Sequence, residues 1–210
     1  MNDHDGGNRS ARKRRMIMEA ATTVFLRNGY LGTSMDEIAA LAGVSKQTVY
    51  KHFADKERLF AEIILGTIDR VGEPFYAGID TLGDTDDLDK DLGELARRLI
   101  TIVMSPEVLA LRRLVIGEAG RFPRLGRAYY ERGPERTAVT LAAHFQRLAE
   151  RGLLRLDDPV RAAHHFNWLI TSIPLNQVML CGDAEQFTVA DQEDFADTGV
   201  RVFLAAYGQP

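Results

Sequence analysis

The sequence predicts an all-α protein of about nine helices. Three observations carry this: apolar residues recur at helical spacing from end to end, the alternating β-branched runs that mark strands are missing, and cap residues follow one another at short intervals. The first helix is expected from about Ser10 to Asn28. Ile17, Ala20, Ala21, Val24 and Phe25 fall at i, i+3, i+4, i+7 and i+8, one apolar stripe, and Gly29 stands just past its end, where a left-handed residue costs least. The second helix starts at Ser34, whose S-x-x-E spacing to Glu37 is that of a capping box. Met35, Ile38, Ala39 and Ala42 form its buried stripe, and it stops at Gly43. Ser45 caps a short third helix. Asp55 caps a long fourth one to about Tyr76, with Leu59, Phe60, Ile63 and Val71 on its apolar side.

The acidic, glycine-containing stretch 77–93 reads as an exposed loop. Further helices are expected at 88–103, 106–118, 123–150, 159–180 and 189–207. Pro106, Pro123 and Pro159 take first-turn positions, where the missing N–H has no helical partner in any case. Pro174 is expected to bend the helix that contains it.

Composition bounds the function. The chain has 210 residues, 45% hydrophobic and 27% charged, enough to bury a sizeable core in one large or two small domains. It contains no apolar run of about 18 residues, so no membrane helix is expected. Its basic start lacks the apolar stretch of a secretory signal. Cys181 is the one cysteine, which excludes an internal disulfide framework and fits a reducing cytoplasm. Residues 1–60 carry 10 Lys and Arg against 7 Asp and Glu, a net of +3, whereas the rest carries 16 against 23, a net of −7. A positive front on an acidic body hints at a small polyanion-binding part; a merely solvated charge run has the same pattern.

Helices two and three are short and joined by a tight turn through Gly43. That is the helix-turn-helix layout, in which the second helix enters the DNA major groove. With Val44 and Val49 packed inward, Lys46, Gln47, Tyr50 and Lys51 occupy one contiguous arc at about 100° per residue. Gln47 carries a donor and an acceptor suited to a base edge. Thr48 offers a hydroxyl or a methyl, while Tyr50, Lys51 and His52 suit phosphate oxygens. Ser34, Ser45 and Lys56, near helix starts, are candidate backbone clamps. On this reading Gln47→Ala relaxes base choice, and Lys56→Ala weakens binding to all sequences alike.

The stretch TSMDEIAALAGVSKQTVYKHFADKERLF, preceded by FLRNGY, resembles the N-terminal domain of TetR-type transcriptional regulators over residues 15–60. Thr33, Ile38, Ala39, Ala42, Gly43, Val44, Ser45, Tyr50, Phe53, Lys56 and Leu59 fall on its signature positions. Residues 116–137 and 154–166 resemble the subgroup with an AefR-like C-terminal domain. The resemblance implies two parts: residues 1–57, a basic arm with a three-helix DNA-binding head, and residues 58–210, a helical ligand-binding and dimerisation domain. It implies a homodimer, usually a repressor, that binds a palindromic DNA operator and is released by a small, lipophilic effector. It maps DNA contact onto Thr33, Ser45, Gln47, Thr48, Tyr50, Lys51, His52 and Lys56; Lys46 joins them from the arc above. Arg9, Arg12, Lys13, Arg14 and Arg15 form the basic arm, which reads either as a contact along a minor groove or phosphates or as a solubilising tail.

The helix at 159–180 is apolar nearly all round and must be covered on all sides. With the helix at 189–207 it suggests a four-helix dimer interface, as in the resembled family, through His165, Leu169, Ile173, Val200, Phe203, Leu204 and Tyr207; the centre of a monomeric core is the other reading. For a ligand cavity, Arg112, His144, Asn167 and Asn176 are candidate polar groups and Phe75, Met104 and Trp168 candidate walls. Residues of these types in such places are more often satisfied structural or surface groups, or plain core.

No enzymatic motif appears. His164 and His165 are adjacent, so their side chains diverge on a helix, and no H-E-x-x-H, C-x-x-C or glycine-rich phosphate loop is present. No metal or cofactor is expected. The alternative to a ligand-switched DNA-binding regulator is a helical small-molecule-binding or interaction protein with no such DNA function.

Overall fold

The computed structural model describes residues 3–79, 82–182 and 187–209. These residues form ten α-helical stretches and no strand, with one isolated bridge between Leu154 and Gly208. The helices are α1 (Asp3–Gly32), α2 (Met35–Leu41), α3 (Lys46–His52), α4 (Lys56–Ile79), α5 (Leu88–Val103), α6 (Pro106–Glu118), α7 (Pro123–Tyr130), α8 (Arg136–Glu150), α9 (Pro159–Cys181) and α10 (Val189–Tyr207). The single helix expected at 123–150 is α7 and α8, joined without a break by a π-helical turn at Glu131–Glu135. Pro134 lies in that turn. Widening the helix by one residue there accommodates its missing N–H and its ring.

Two other expectations change. Helix α1 begins seven residues earlier than expected and carries the whole basic arm as helix; it is interrupted near its end at Gly29, whose φ of 68° supplies the expected left-handed residue. The loop expected at 77–93 is largely structured. Helix α4 runs to Ile79, a 3₁₀ turn follows at Leu82–Asp84, and Leu82 and Gly83 are buried. Arg151, the C-cap of α8, holds that turn, donating to the Gly83 and Thr85 carbonyls at 2.8 and 2.7 Å. Asp80 and Thr81 of the expected loop lie outside the described residues.

The chain packs as two compact units. The first comprises residues up to Thr67 and Leu114–Tyr129; the second comprises Ile68–Arg113 and Tyr130 onwards. Packing therefore assigns the end of α6 and α7 to the N-terminal unit, which the division at 57/58 does not anticipate. The first unit's core is the set of stripes read above. Ile17, Ala21, Val24, Phe25, Ile38, Val49, Phe53, Leu59 and Phe60 have no exposed surface. Phe122, between α6 and α7, completes an aromatic group with Tyr30 and Phe60, its ring centre 4.6 and 5.9 Å from theirs.

The second unit is centred on Phe145, Phe166 and Phe203, with ring centres 5.1–5.6 Å apart. Helix α9 runs through Pro174 without interruption. Asp158 caps it, accepting from the Arg161 N–H at 3.0 Å, and this bond to the charged form holds the Asp158 carboxyl below the usual range. At Gly199, α10 comes so near to α9 that a Cβ would lie 2.9 Å from Ile170 Cγ1 and 3.2 Å from the Ile170 nitrogen, so only glycine fits.

Candidate nucleic-acid interface

The turn between α2 and α3 is set by Gly43, whose φ of 65° a residue with a Cβ adopts only with strain. Ser34 caps α2, accepting from the Glu37 N–H at 3.1 Å. The expected capping box is only half formed, because the Glu37 carboxylate binds Arg27 and Asn28 of α1 instead. This ties α2 to α1. Ser45 caps α3, accepting from the Thr48 N–H at 3.2 Å, and the two hydroxyls lie 2.8 Å apart.

Helix α3 is anchored by Val49, fully buried, and ends on Phe53, also fully buried. Its remaining face is open. Lys46, Gln47, Tyr50 and Lys51 are exposed, and Thr48 and His52 are half-buried. Lys46 Nζ lies 2.8 Å from Asp36 of α2; this hydrogen bond raises the lysine pKa and holds the starts of the two helices together. Lys51 and His52 sit in the last turn of α3, where positive charge offsets the helix dipole. The face thus presents one amide that can pair with a base edge, flanked by cationic and hydroxyl groups suited to phosphate.

Two other residues that the resemblance maps onto DNA have intramolecular partners. Thr33 is 3% exposed and its hydroxyl donates to the Gly29 carbonyl at 2.7 Å. Lys56 donates to the Tyr30 and Thr33 carbonyls, each at 2.9 Å, and its ammonium stands 4.4 Å from the centre of the Tyr30 ring. Both carbonyls lie where α1 ends and α2 begins, so Lys56 fastens the start of α4 to the base of the helix-turn-helix. Lys56→Ala is expected to lower unfolding stability by about 1–3 kcal/mol, read from a urea midpoint. Weaker DNA binding at an unchanged midpoint would return Lys56 to the DNA-facing side. Spacing alone does not reveal Asp36, Glu37 and Tyr30, because their partners are nine residues or more away.

In the second unit the candidate ligand residues divide. Phe75 and Met104 belong to that unit's core, and Asn167 is buried. His144 is 5% exposed, with Nδ1 2.6 Å from the Arg147 guanidinium. Arg112 is half-buried. Asn176 is exposed and donates to the Ser172 carbonyl at 2.7 Å. Trp168 is also exposed and joins His165, Leu169, Ile173, Val202 and Tyr207 along an open groove of about 420 Å³ between α9 and α10. In that groove His165 Nδ1 is 2.5 Å from the Tyr207 hydroxyl.

The residues expected at a dimer interface divide as well. Leu169 and Ile173 are 37% and 56% exposed, but Val200 and Phe203 are 2% and 0% exposed and belong to the protomer's own core. Leu204 and Tyr207 are half-buried. Side chains already enclosed by α5, α8 and α9 have no surface to give a partner. The outward apolar face is Trp168, Leu169, Ile173 and Val202.

A helix-turn-helix head with an open polar recognition face, joined to a helical body, defines a DNA-binding transcriptional regulator. Residues 17–63 match the family described as bacterial regulatory proteins, tetR family, and residues 90–209 match that described as AefR-like transcriptional repressor, C-terminal domain. The chain belongs to the TetR family of transcriptional regulators, and within it to those with an AefR-like C-terminal domain; these are DNA-binding proteins, not enzymes. It is similar to a TetR-family regulator of known structure from Mesorhizobium loti, at 47% identity over 96% of this chain and 99% of that one, with a TM-score of 0.89. It is also similar to the flavonoid-responsive regulator FrrA, at 33% identity over 94% of this chain and 98% of that one, with a TM-score of 0.76. The transcriptional activator FasR of Mycolicibacterium smegmatis matches at 40% identity over 67 residues, 31% of each chain. Matches to the curated relatives span less than half of their length. No described helix is long and apolar enough to cross a membrane.

Proposed function

We propose that the protein is a cytoplasmic repressor that binds a near-palindromic operator as a homodimer and is released by a small lipophilic ligand held in its helical body. The observation that carries the DNA reading is the open arc of α3, with Gln47 between Lys46, Tyr50 and Lys51 and with Val49 and Phe53 anchoring it from below. The AefR-like match supports repression rather than activation. A single seven-residue helix touches few bases, so useful specificity needs two heads about 34 Å, or a small multiple, apart on one DNA face.

Gln47→Ala is expected to remove about 1–3 kcal/mol of discrimination at one base pair per half-site and to leave the others unchanged. Competition between operator duplexes altered one position at a time reads this directly. Uniform weakening at every position would make Gln47 a backbone contact.

FrrA is flavonoid-responsive by name, so planar aromatic compounds of that class are the first effectors to try. An inducer must prefer the form that fits DNA poorly, and by linkage the operator must lower affinity for the inducer by the same factor. A compound bound equally well with and without operator is no inducer.

A further inference from the structure

We propose that Asp36 sets how strictly the head discriminates between DNA sequences, by withholding the Lys46 ammonium from phosphate; this rests on the DNA-binding reading above. The open arc of α3 carries two lysines. Lys51 has no carboxylate partner among the described residues, whereas both oxygens of Asp36 hold Lys46, at 2.8 and 3.0 Å. Asp36 belongs to α2, ten residues away in the chain, and the first turn of α3 has no acidic residue of its own. A carboxylate from the neighbouring helix therefore stands at the edge of the recognition face and cancels one of its two lysines.

The fold does not need this pair. Gly43 makes the turn, and Ile38 and Val49, neither with any exposed surface, anchor the two helices from within. The Lys46 and Asp36 side chains are 58% and 65% exposed, and an ion pair so open to water adds little to stability. Its effect falls instead on what Lys46 can touch. A free lysine there would add a phosphate contact on any sequence. A lysine held by a carboxylate adds none, and the carboxylate itself is repelled by phosphate. Non-specific binding rests almost wholly on such contacts. Operator binding is different, because Gln47 on a base edge fixes the position of α3. A freed ammonium then gains only where that position leaves a phosphate within its reach. Holding Lys46 back thus lowers affinity for wrong sequences more than for the right one.

The test is the salt dependence of binding to a mixed-sequence duplex and to a duplex that the unaltered protein selects from a random pool. It compares the full chain with Asp36→Asn, alone and in a Lys46→Gln background. Asparagine keeps the shape and removes the charge, and the Ser34 cap and Glu37 stay in place, so the urea midpoint should move little. On the mixed duplex Asp36→Asn should bind several-fold more tightly. Its slope of log affinity against log salt should steepen by about 0.9 per protomer, the contribution of one phosphate contact. On the selected duplex the gain should be smaller, so the ratio between the two falls. In the Lys46→Gln background the same change should leave the slope as it was, because no ammonium is released. An unchanged slope on the mixed duplex, equal gains on both duplexes, or a steeper slope in the Lys46→Gln background overturns the proposal. So does an altered preference at one base pair, which would make Asp36 itself a base contact, accepting from cytosine N4. If the unaltered protein selected no sequence at all, the reading of α3 above would fall and take this inference with it.

Discussion

If the protein is the proposed homodimer, Ile173→Glu is expected to leave the protomer folded, to abolish that dimer and to cut operator affinity by several orders of magnitude. Ile173 is 56% exposed on α9, so within one chain the substitution meets mainly solvent, and such changes usually stay within about 0.5 kcal/mol. In a two-fold interface the same change occurs twice. Two carboxylates would enter an apolar face formed by Trp168, Leu169 and Val202, and no lysine or arginine lines the α9–α10 groove. An unpaired buried charge costs several kcal/mol, and each 1.4 kcal/mol is about a factor of ten in dissociation constant. Sedimentation should show the variant as a monomer at concentrations where the unaltered protein sediments as the proposed dimer. The DNA titration should show single heads binding half-sites weakly. A variant that stayed dimeric would place the interface on another face.

Phe203→Ala is expected to act in the opposite way, melting the protomer. Its ring packs 5.1 Å from Phe145, 5.2 Å from Phe166 and 4.9 Å from Tyr207, and none of its surface is exposed. Removing a core phenylalanine costs about 3–5 kcal/mol, a large part of the roughly 5–15 kcal/mol that holds a domain folded. Making the change in the Ile173→Glu background removes dimerisation from the measurement, so a urea midpoint reports protomer stability alone. A midpoint unmoved by Phe203→Ala would return Phe203 to the dimer interface.

The contrast between these two residues marks where sequence reasoning ended. Ile17, Val24 and Phe25, or Met35 and Ile38, could be assigned to the interior because each belongs to a helix with one apolar stripe and a polar remainder. Helix α9 has no such remainder. Its pattern says that it must be covered but not by what; that Ile173 of α9 faces outward while Val200 and Phe203 of α10 face inward follows from how α10 packs on α5, α8 and α9. The recognition arc was legible for a simpler reason: Gly43, Ser45 and Val49 fix the start and the buried side of α3, and the open side is what remains. The contacts that Lys56 makes were not legible because its partners, the carbonyls of Tyr30 and Thr33, are 26 and 23 residues away and carry no sequence signal at all. The same holds for Phe122, which only packing brings to Tyr30 and Phe60.

The central claim is that α3 reads bases as one of a pair. The most direct measurement is selection of duplexes from a random pool by the purified protein, followed by sequencing of the bound fraction. The account predicts enrichment of a near-palindrome whose half-sites lie one helical turn, or a small multiple, apart, with Gln47→Ala relaxing one position in each half. Enrichment of a single unpaired half-site, or of no sequence despite tight binding, would contradict it.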